Sequence, residues 1–193
     1  MRFATLLLIA APAVAQTVTY TVDTLHSTAN FAVRHMMIST VRGHFGGVKG
    51  VIKYDPRNPG AATIDATIDC STVNSGEPKR DSDLKGPEFF DVKKYPEMKF
   101  KSKKVEAAGA GKLKITGDLT INATTRQVVL DVEGPTAEVK DTRGRFKVGA
   151  NAATKISRKD FGIVWNQLME TGGVAVSDEV SISLDLELTR AEK

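Results

Sequence analysis

The run Val180-Ser181-Ile182-Ser183-Leu184-Asp185-Leu186-Glu187-Leu188-Thr189 alternates apolar and polar residues without a break. Successive side chains of an extended chain point to opposite faces, so the apolar residues share one face and the polar residues the other. A strand with one wet face belongs to an antiparallel sheet, because parallel strands are covered on both sides. Residues 112–122 repeat the pattern, with Leu113, Ile115, Gly117, Leu119 and Ile121 on the apolar face.

Weaker copies lie on either side: Val18/Tyr20/Val22, Ala29/Phe31/Val33, Ile64/Ala66/Ile68/Cys70, Met98/Phe100, Val128/Leu130/Val132, and alternate residues from Phe146 to Ile156. Between Val41 and Tyr54 the apolar parity switches at Gly46 and Gly47, as a β-bulge that bends one long strand would make it do. Turn signals separate the runs: Asp55-Pro56, Gly109-Ala110-Gly111, Gly134-Pro135, and Asp141 to Gly144. The chain therefore reads as all-β, with about eight or nine strands in an up-and-down barrel or a sandwich. A closed sheet of about eight strands can fill with side chains or hold one small ligand. Ala66, Gly117, Ala150, Ala152 and Thr154 are small residues at inward parity, which leaves room for a cavity.

One region breaks the rhythm. Residues 78–84, PKRDSDL, predict a short helix with Ser75 or Glu77 near its start. It runs into Phe89 and Phe90, which lie between Gly86-Pro87 and Tyr95-Pro96, where neither helix nor ladder continues easily. Two large rings on an irregular segment must be buried, either as a core plug or as the cover of a cavity. A second irregular stretch, residues 161–173, carries Trp165.

The N-terminus has one Arg, an apolar run from Phe3 to Ala11, and then Pro12-Ala13-Val14-Ala15, the pattern of a cleaved secretory leader. Cleavage after Ala15 is expected, leaving residues 16–193 as one exported domain. Loss of Arg2 lowers the formal charge from +4 to +3, and the remaining cations are scattered among acids. No nucleic-acid partner is expected of such a chain. Lys93, Lys94, Lys99, Lys101, Lys103 and Lys104 form the densest basic patch. That patch reads as a solvated strand face that discourages edge pairing, or as an attractor for an anionic head group or membrane surface.

Cys70 is the sole cysteine, so no intramolecular disulfide can form, and its place on an apolar face suggests a buried, unreactive thiol. His26, His35 and His44 are nine residues apart, and an odd spacing along a strand puts them on opposite faces. Without an HExxH, a paired CxxC or an Asp-rich loop, no metal site or other cofactor is expected. No G-x-S-x-G elbow marks a nucleophile either.

Several motifs then occur in order. They are Asp23-Thr24-Leu25-His26-Ser27, Phe31 to Met36, Val41 to Phe45, Arg80 to Leu84, Glu88 to Val92, Tyr95-Pro96 with Phe100-Lys101-Ser102, Gly117 to Ile121, and Arg158 to Gly162. From about Tyr20 to Leu188 the chain resembles the YceI-like family. It departs at Asp83, where the family usually has His, and at Asn122-Ala123-Thr124, where it usually has a Gly. The resemblance implies a single antiparallel lipocalin-like barrel of about eight strands with one short helix and an elongated apolar cavity. It also implies an exported bacterial protein, periplasmic or secreted, often a homodimer, that takes a long-chain isoprenoid or similar amphiphilic lipid.

The candidate ligand-binding residues are Phe31, Val33, Arg34, His35, Met36, Phe45, Phe89, Phe90, Met98, Phe100, Phe161 and Trp165. The apolar members would line the slot; Arg34 and His35 would meet a head group. The favoured reading is non-catalytic carriage or sequestration, with peripheral membrane contact a possible accompaniment. An enzyme acting on a lipid or quinone through His35, and an interaction module with a solid core, are the other two.

Overall fold

A computed structural model describes residues 17–170 and 172–192, so the expected leader lies outside the described residues. The strands are β1 (Val18–Val22), β2 (Thr28–His35), β3 (Ser39–Phe45), β4 (Val48–Tyr54), β5 (Thr63–Asp69), β6 (Glu97–Ala107), β7 (Lys112–Ile121), β8 (Thr124–Glu133), β9 (Val139–Lys140), β10 (Phe146–Ser157) and β11 (Val176–Arg190). One helix, α1 (Pro78–Lys85), joins β5 to β6. Every strand pair is antiparallel, and β1-β4-β5-β6-β7-β8-β10-β11 closes into an eight-stranded barrel.

Strand β11 carries the unbroken apolar alternation, and it closes the barrel. Along one edge it pairs with β10 from Lys147↔Thr189 to Ser157↔Glu179. Its other edge is shared end to end by β1, opposite residues 188–190, and β2, opposite residues 176–185. Residues 23–27 leave the ladder between these two strands, and Glu187 faces the gap. Its peptide is still satisfied: the Asp23 amide donates to Glu187 O at 2.8 Å, and the Glu187 amide donates to Ser27 Oγ at 3.0 Å. Ser27, almost wholly buried, thus stands in for a missing strand residue.

The opposite strand is interrupted as well. A β-bulge in one long strand is the expectation for residues 41–54; instead Gly46 and Gly47 separate β3 from β4. The register explains the difference: β1 pairs with β4 as Tyr20↔Ile52, whereas β2 pairs with β3 as Ala29↔Phe45. Both strands of the pair break, so two collinear ladders meet where one bulged ladder would otherwise run. Gly47 adopts φ +61°, and a Cβ there would lie 2.9 Å from Asp69 Cβ. Cys70, expected on the face of β5, instead opens a 3₁₀ turn, Cys70–Thr72, and is buried there.

Helix α1 starts at Pro78 with Glu77 as N-cap, its carboxylate accepting from the Lys79 and Arg80 amides. Arg80 Nε donates to Ser75 Oγ, and the Ser75 amide donates to Asp81, which fastens the helix to the chain before it. The following segment is a set of tight turns. Leu84 O, Lys85 O and Gly86 O accept from Phe90, Val92 and Asp91, using the carbonyls that a helix end leaves free.

The ladder gap is also braced by charge. Buried Lys147 donates from Nζ to Asp23 at 2.7 Å and makes a short contact with Glu187. Hydrogen bonding from Lys147 holds the Asp23 carboxyl well below the usual carboxylate range. A lowered carboxylate pKa adds stability that is present above the unfolded-state value near 4 and lost as pH falls through the folded-state value. Lys147→Met is therefore expected to cost about 1–3 kcal/mol at neutral pH. Urea unfolding should show that difference shrinking as the medium is acidified below about pH 4.

Candidate functional site: an apolar cavity along the barrel

Alternation along the strands sends one face of each into the lumen, and these faces do not fill it. A cavity of about 280 Å³ runs between them, close to the lower end of the range of about 300–1,000 Å³ for small-molecule sites. Tyr20, Tyr54, Val148 and Leu188 line one end; Leu84, Phe89, Phe90 and Ile163 line the other. Between Val148 and Ile156 on β10 the wall covers about 26 Å of strand, or about 20 Å along the axis after barrel tilt. Its middle is made of Ala66, Ala150, Ala152 and Thr154 facing Ile64, Ile182, Leu184 and Leu186.

Two glycines keep the lumen open. Phe31 stands opposite Gly43 in the β2–β3 ladder, and a Cβ on Gly43 would lie 2.4 Å from Phe31 Cζ. Likewise a Cβ on Gly117 would lie 2.5 Å from Phe100 Cζ. Each ring therefore lies against the wall over a glycine, leaving the centre clear.

The structure divides the sequence-predicted residues into two groups. Phe31, Val33, Phe45, Phe89, Phe90, Met98 and Phe100 line the cavity. Phe45 holds Phe90 edge-on at 5.1 Å between ring centroids, and Phe89 packs on Trp165 at 5.4 Å. Trp165 thus supports the wall from behind, and Phe161 is buried in the adjoining core without facing the lumen. Arg34 falls at outward parity, where its guanidinium donates to Met37 O, Ile38 O and Thr40 Oγ1. His35 closes β2 opposite Ser39 and Val176 and lies outside the lining. Met36 is in the turn beyond, with φ 51°, and is exposed. The two expected head-group contacts are therefore off the wall: Arg34 because it points outward, and His35 because the ladder ends there.

Sequence reasoning did not single out Arg158, Ile163 or Val176. Arg158 is buried beside the lumen, and burial pulls its pKa down while Asp178 opposes that. Its guanidinium donates to Ile163 O, Trp165 O, Val176 O, Ser177 O and Asp178, so one side chain organises the irregular loop. The Arg158-Lys159-Asp160-Phe161-Gly162 motif was the available signal, without its physical meaning.

Away from the cavity, Asp23, His26 and Glu187 could geometrically surround a cation. Lys147 already supplies the ammonium between the two carboxylates. Burial pushes the Cys70 thiol up to about 11, consistent with an inert side chain. Of the lysines of β6, Lys99 borders the cavity, while on the wet face Lys103 pairs with Asp118 and Lys104 with Glu106.

The model of the YceI-like domain matches residues 20–188. The chain belongs to the YceI-like family. A UPF0312 protein of Vibrio cholerae is 33% identical over 157 residues, covering 80% of this chain and 82% of that protein. The crystal structure of a Campylobacter jejuni YceI protein superposes with a TM-score of 0.69 at 33% identity, covering 82% of this chain and 90% of that one. A polyisoprenoid binding domain from Saccharophagus degradans shares the fold, with a TM-score of 0.61 at 15% identity and coverage of 90% and 99%. Among YceI-like motifs, Asp23 to Ser27 is the splice in the ladder, and Gly117 is the floor beneath Phe100.

Two substitutions test this construction. Gly117→Val forces the Phe100 ring off the wall, and calorimetry should show a loss of about 1–3 kcal/mol, the usual cost of overpacking. Arg158→Met leaves several loop carbonyls without their donor, while Asp178 keeps Lys159, and should cost about 3 kcal/mol in chemical unfolding, at about 1–3 kcal/mol for each buried acceptor left unpaired.

Proposed function

We propose that the protein holds the hydrocarbon part of a long amphiphilic lipid in the barrel, as a carrier or sequestering protein. The supporting observation is the character of the wall: among the described residues, no Asp, Glu, His or Cys lines the cavity. The guanidinium beside it, Arg158, has its donors committed to the loop. Such a slot binds by area, each methylene removed from water contributing about 0.8 kcal/mol.

The same wall favours binding over chemistry. Neither His35 nor Cys70 reaches the lumen; Tyr20 and Tyr54 bring phenols whose pKa burial raises, and Lys99 and Arg158 are the cations on the lining, so among the described lining residues no carboxylate, imidazole or thiol is placed to act as a base or nucleophile. The Saccharophagus degradans domain, described as polyisoprenoid binding, makes polyisoprenoids the first class to test, ahead of quinone-like and fatty-acyl chains. Export after cleavage at Ala15 is part of the same reading, since such a carrier would work where a lipid must cross water.

Extraction of the purified protein with organic solvent, followed by mass spectrometry, should recover such an amphiphile. Ala150→Phe places a ring in the lumen and should lower uptake of a fluorescent isoprenoid probe by about tenfold or more. It should leave stability nearly unchanged, whereas a solid core would lose about 1–3 kcal/mol. Absence of any co-purifying lipid, together with no probe binding by the unmodified protein, would overturn the proposal.

A further inference from the structure

Of the ten large apolar residues exposed among the described residues, five belong to two neighbouring loops: Met36, Met37, Ile38, Val164 and Leu168. Ile38 is 77% exposed and Leu168 83%. The loops are stitched together. The Met36 amide donates to Ala175 O at 2.7 Å, the Ala175 amide to Gln167 O at 2.9 Å, and Leu168 bridges to Val174. Through Trp165 the same loop touches Phe89, so this apolar edge is continuous with the segment that covers one end of the cavity.

The turn is built unusually for a water-facing hairpin. Met36 and Met37 both have left-handed φ, 51° and 59°, and the Ile38 amide donates to His35 O. Asn-Gly is the ordinary solution for that geometry. Bulky residues there are strained, and strain of this kind persists where function holds it. The backbone is also prepared to leave water. Arg34 donates to Met37 O and Ile38 O, while the Met36 and Ile38 amides already have partners. A protruding apolar turn with four of its backbone polar groups satisfied internally suits a hydrocarbon medium, where an unpartnered carbonyl is costly.

At the turn itself the cation is Arg34, whose donors are taken up by Met37 O, Ile38 O and Thr40 Oγ1, and the charges around it are largely balanced. Lys93 and Lys94 on the covering segment are offset by Glu88, Asp91 and Glu97. Lys159 pairs with Asp178. We infer that residues 36–38 and Leu168 enter the interfacial layer of a lipid bilayer, setting the Phe89 and Phe90 end of the barrel against the membrane. Entry is by apolar insertion and does not depend on head-group charge. The inference rests on the proposed lipid ligand for its purpose, since docking there gives a lipid a water-free route into the lumen.

The test is flotation of the purified protein with phosphatidylcholine vesicles, with and without phosphatidylglycerol, at about 0.1 M and about 1 M salt. The protein should float equally with both, and salt should not release it. A Met36→Asn/Met37→Gly/Ile38→Ser variant relieves the turn, so it should be at least as stable, yet its vesicle partitioning should fall by about tenfold or more. Uptake of an acyl probe from solution should be unchanged in that variant, which separates docking from cavity binding. Vesicle binding by a protein that takes up no probe would support the docking face while removing the ligand proposal. Three results would overturn the inference: no flotation of the unmodified protein, binding confined to anionic vesicles and lost in salt, or undiminished binding by the variant. Self-association lost in the variant, without vesicle binding, would overturn it too and assign the face to a second copy.

Discussion

The barrel depends on the way β11 is completed along one edge by two strands. A closed sheet tolerates no unpaired stretch of buried backbone, since each lost partner carries a desolvation cost of about 1–3 kcal/mol. Between β1 and β2 the chain leaves the ladder for five residues, and Glu187 would be stranded without Ser27 and the Asp23 amide. Lys147 then fills the space behind the splice and bridges the two carboxylates it brings together. Folding of the N-terminal strands is thereby tied to the C-terminal strand, more than 150 residues away in the chain.

A closed ring of eight strands sets the radius, but side-chain choice sets what remains inside. Alanine and threonine on β10 face leucine and isoleucine on β11, a pairing that leaves volume along the axis. Phenylalanines could have filled that volume. Phe31 and Phe100 do not, because Gly43 and Gly117 leave room for the tip of each ring against the sheet. Aromatic area is thus spent on the wall, where it contributes burial while keeping the lumen clear.

Most of this architecture was legible in period-two patterns, because a strand with one wet face announces both its geometry and its inner residues. Strands β7 and β11 needed nothing more, and small residues at inward parity foretold the hollow. The short helix was legible from its proline and acidic cap. What could not be read was anything set by long-range pairing. The parity switch at Gly46 and Gly47 looks the same for a bulge as for two collinear strands, and only the simultaneous break at residues 23–27 decides between them. Arg34 was expected at the cavity although its parity with Phe31 and Val33 turns it outward, while His35 and Met36 lie where the strand and its ladder end. Alternation says which side of a strand a residue faces, but not where the lumen stops. Arg158 escaped notice because an arginine in a charged motif gives no sign of being buried.

The cavity is unequal at its two ends, and that inequality bears on how a lipid would enter. Near Tyr20 the end is bound by polar ties: the Tyr20 hydroxyl donates to Glu138 at 2.8 Å, and Arg190 donates to the same carboxylate at 2.6 Å. At the other end, Phe89 and Phe90 are held mainly by ring contacts with Trp165 and Phe45. Asn122 adds a hydrogen bond to Phe89 O at 2.8 Å while its own Oδ1 is buried without a partner. Ring contacts against an apolar lumen can be exchanged for contacts with an apolar ligand at little net cost, whereas the hydrogen bonds to Glu138 cannot. The end with two phenylalanines is therefore the cheaper one to open in an apolar medium. Water offers no such exchange.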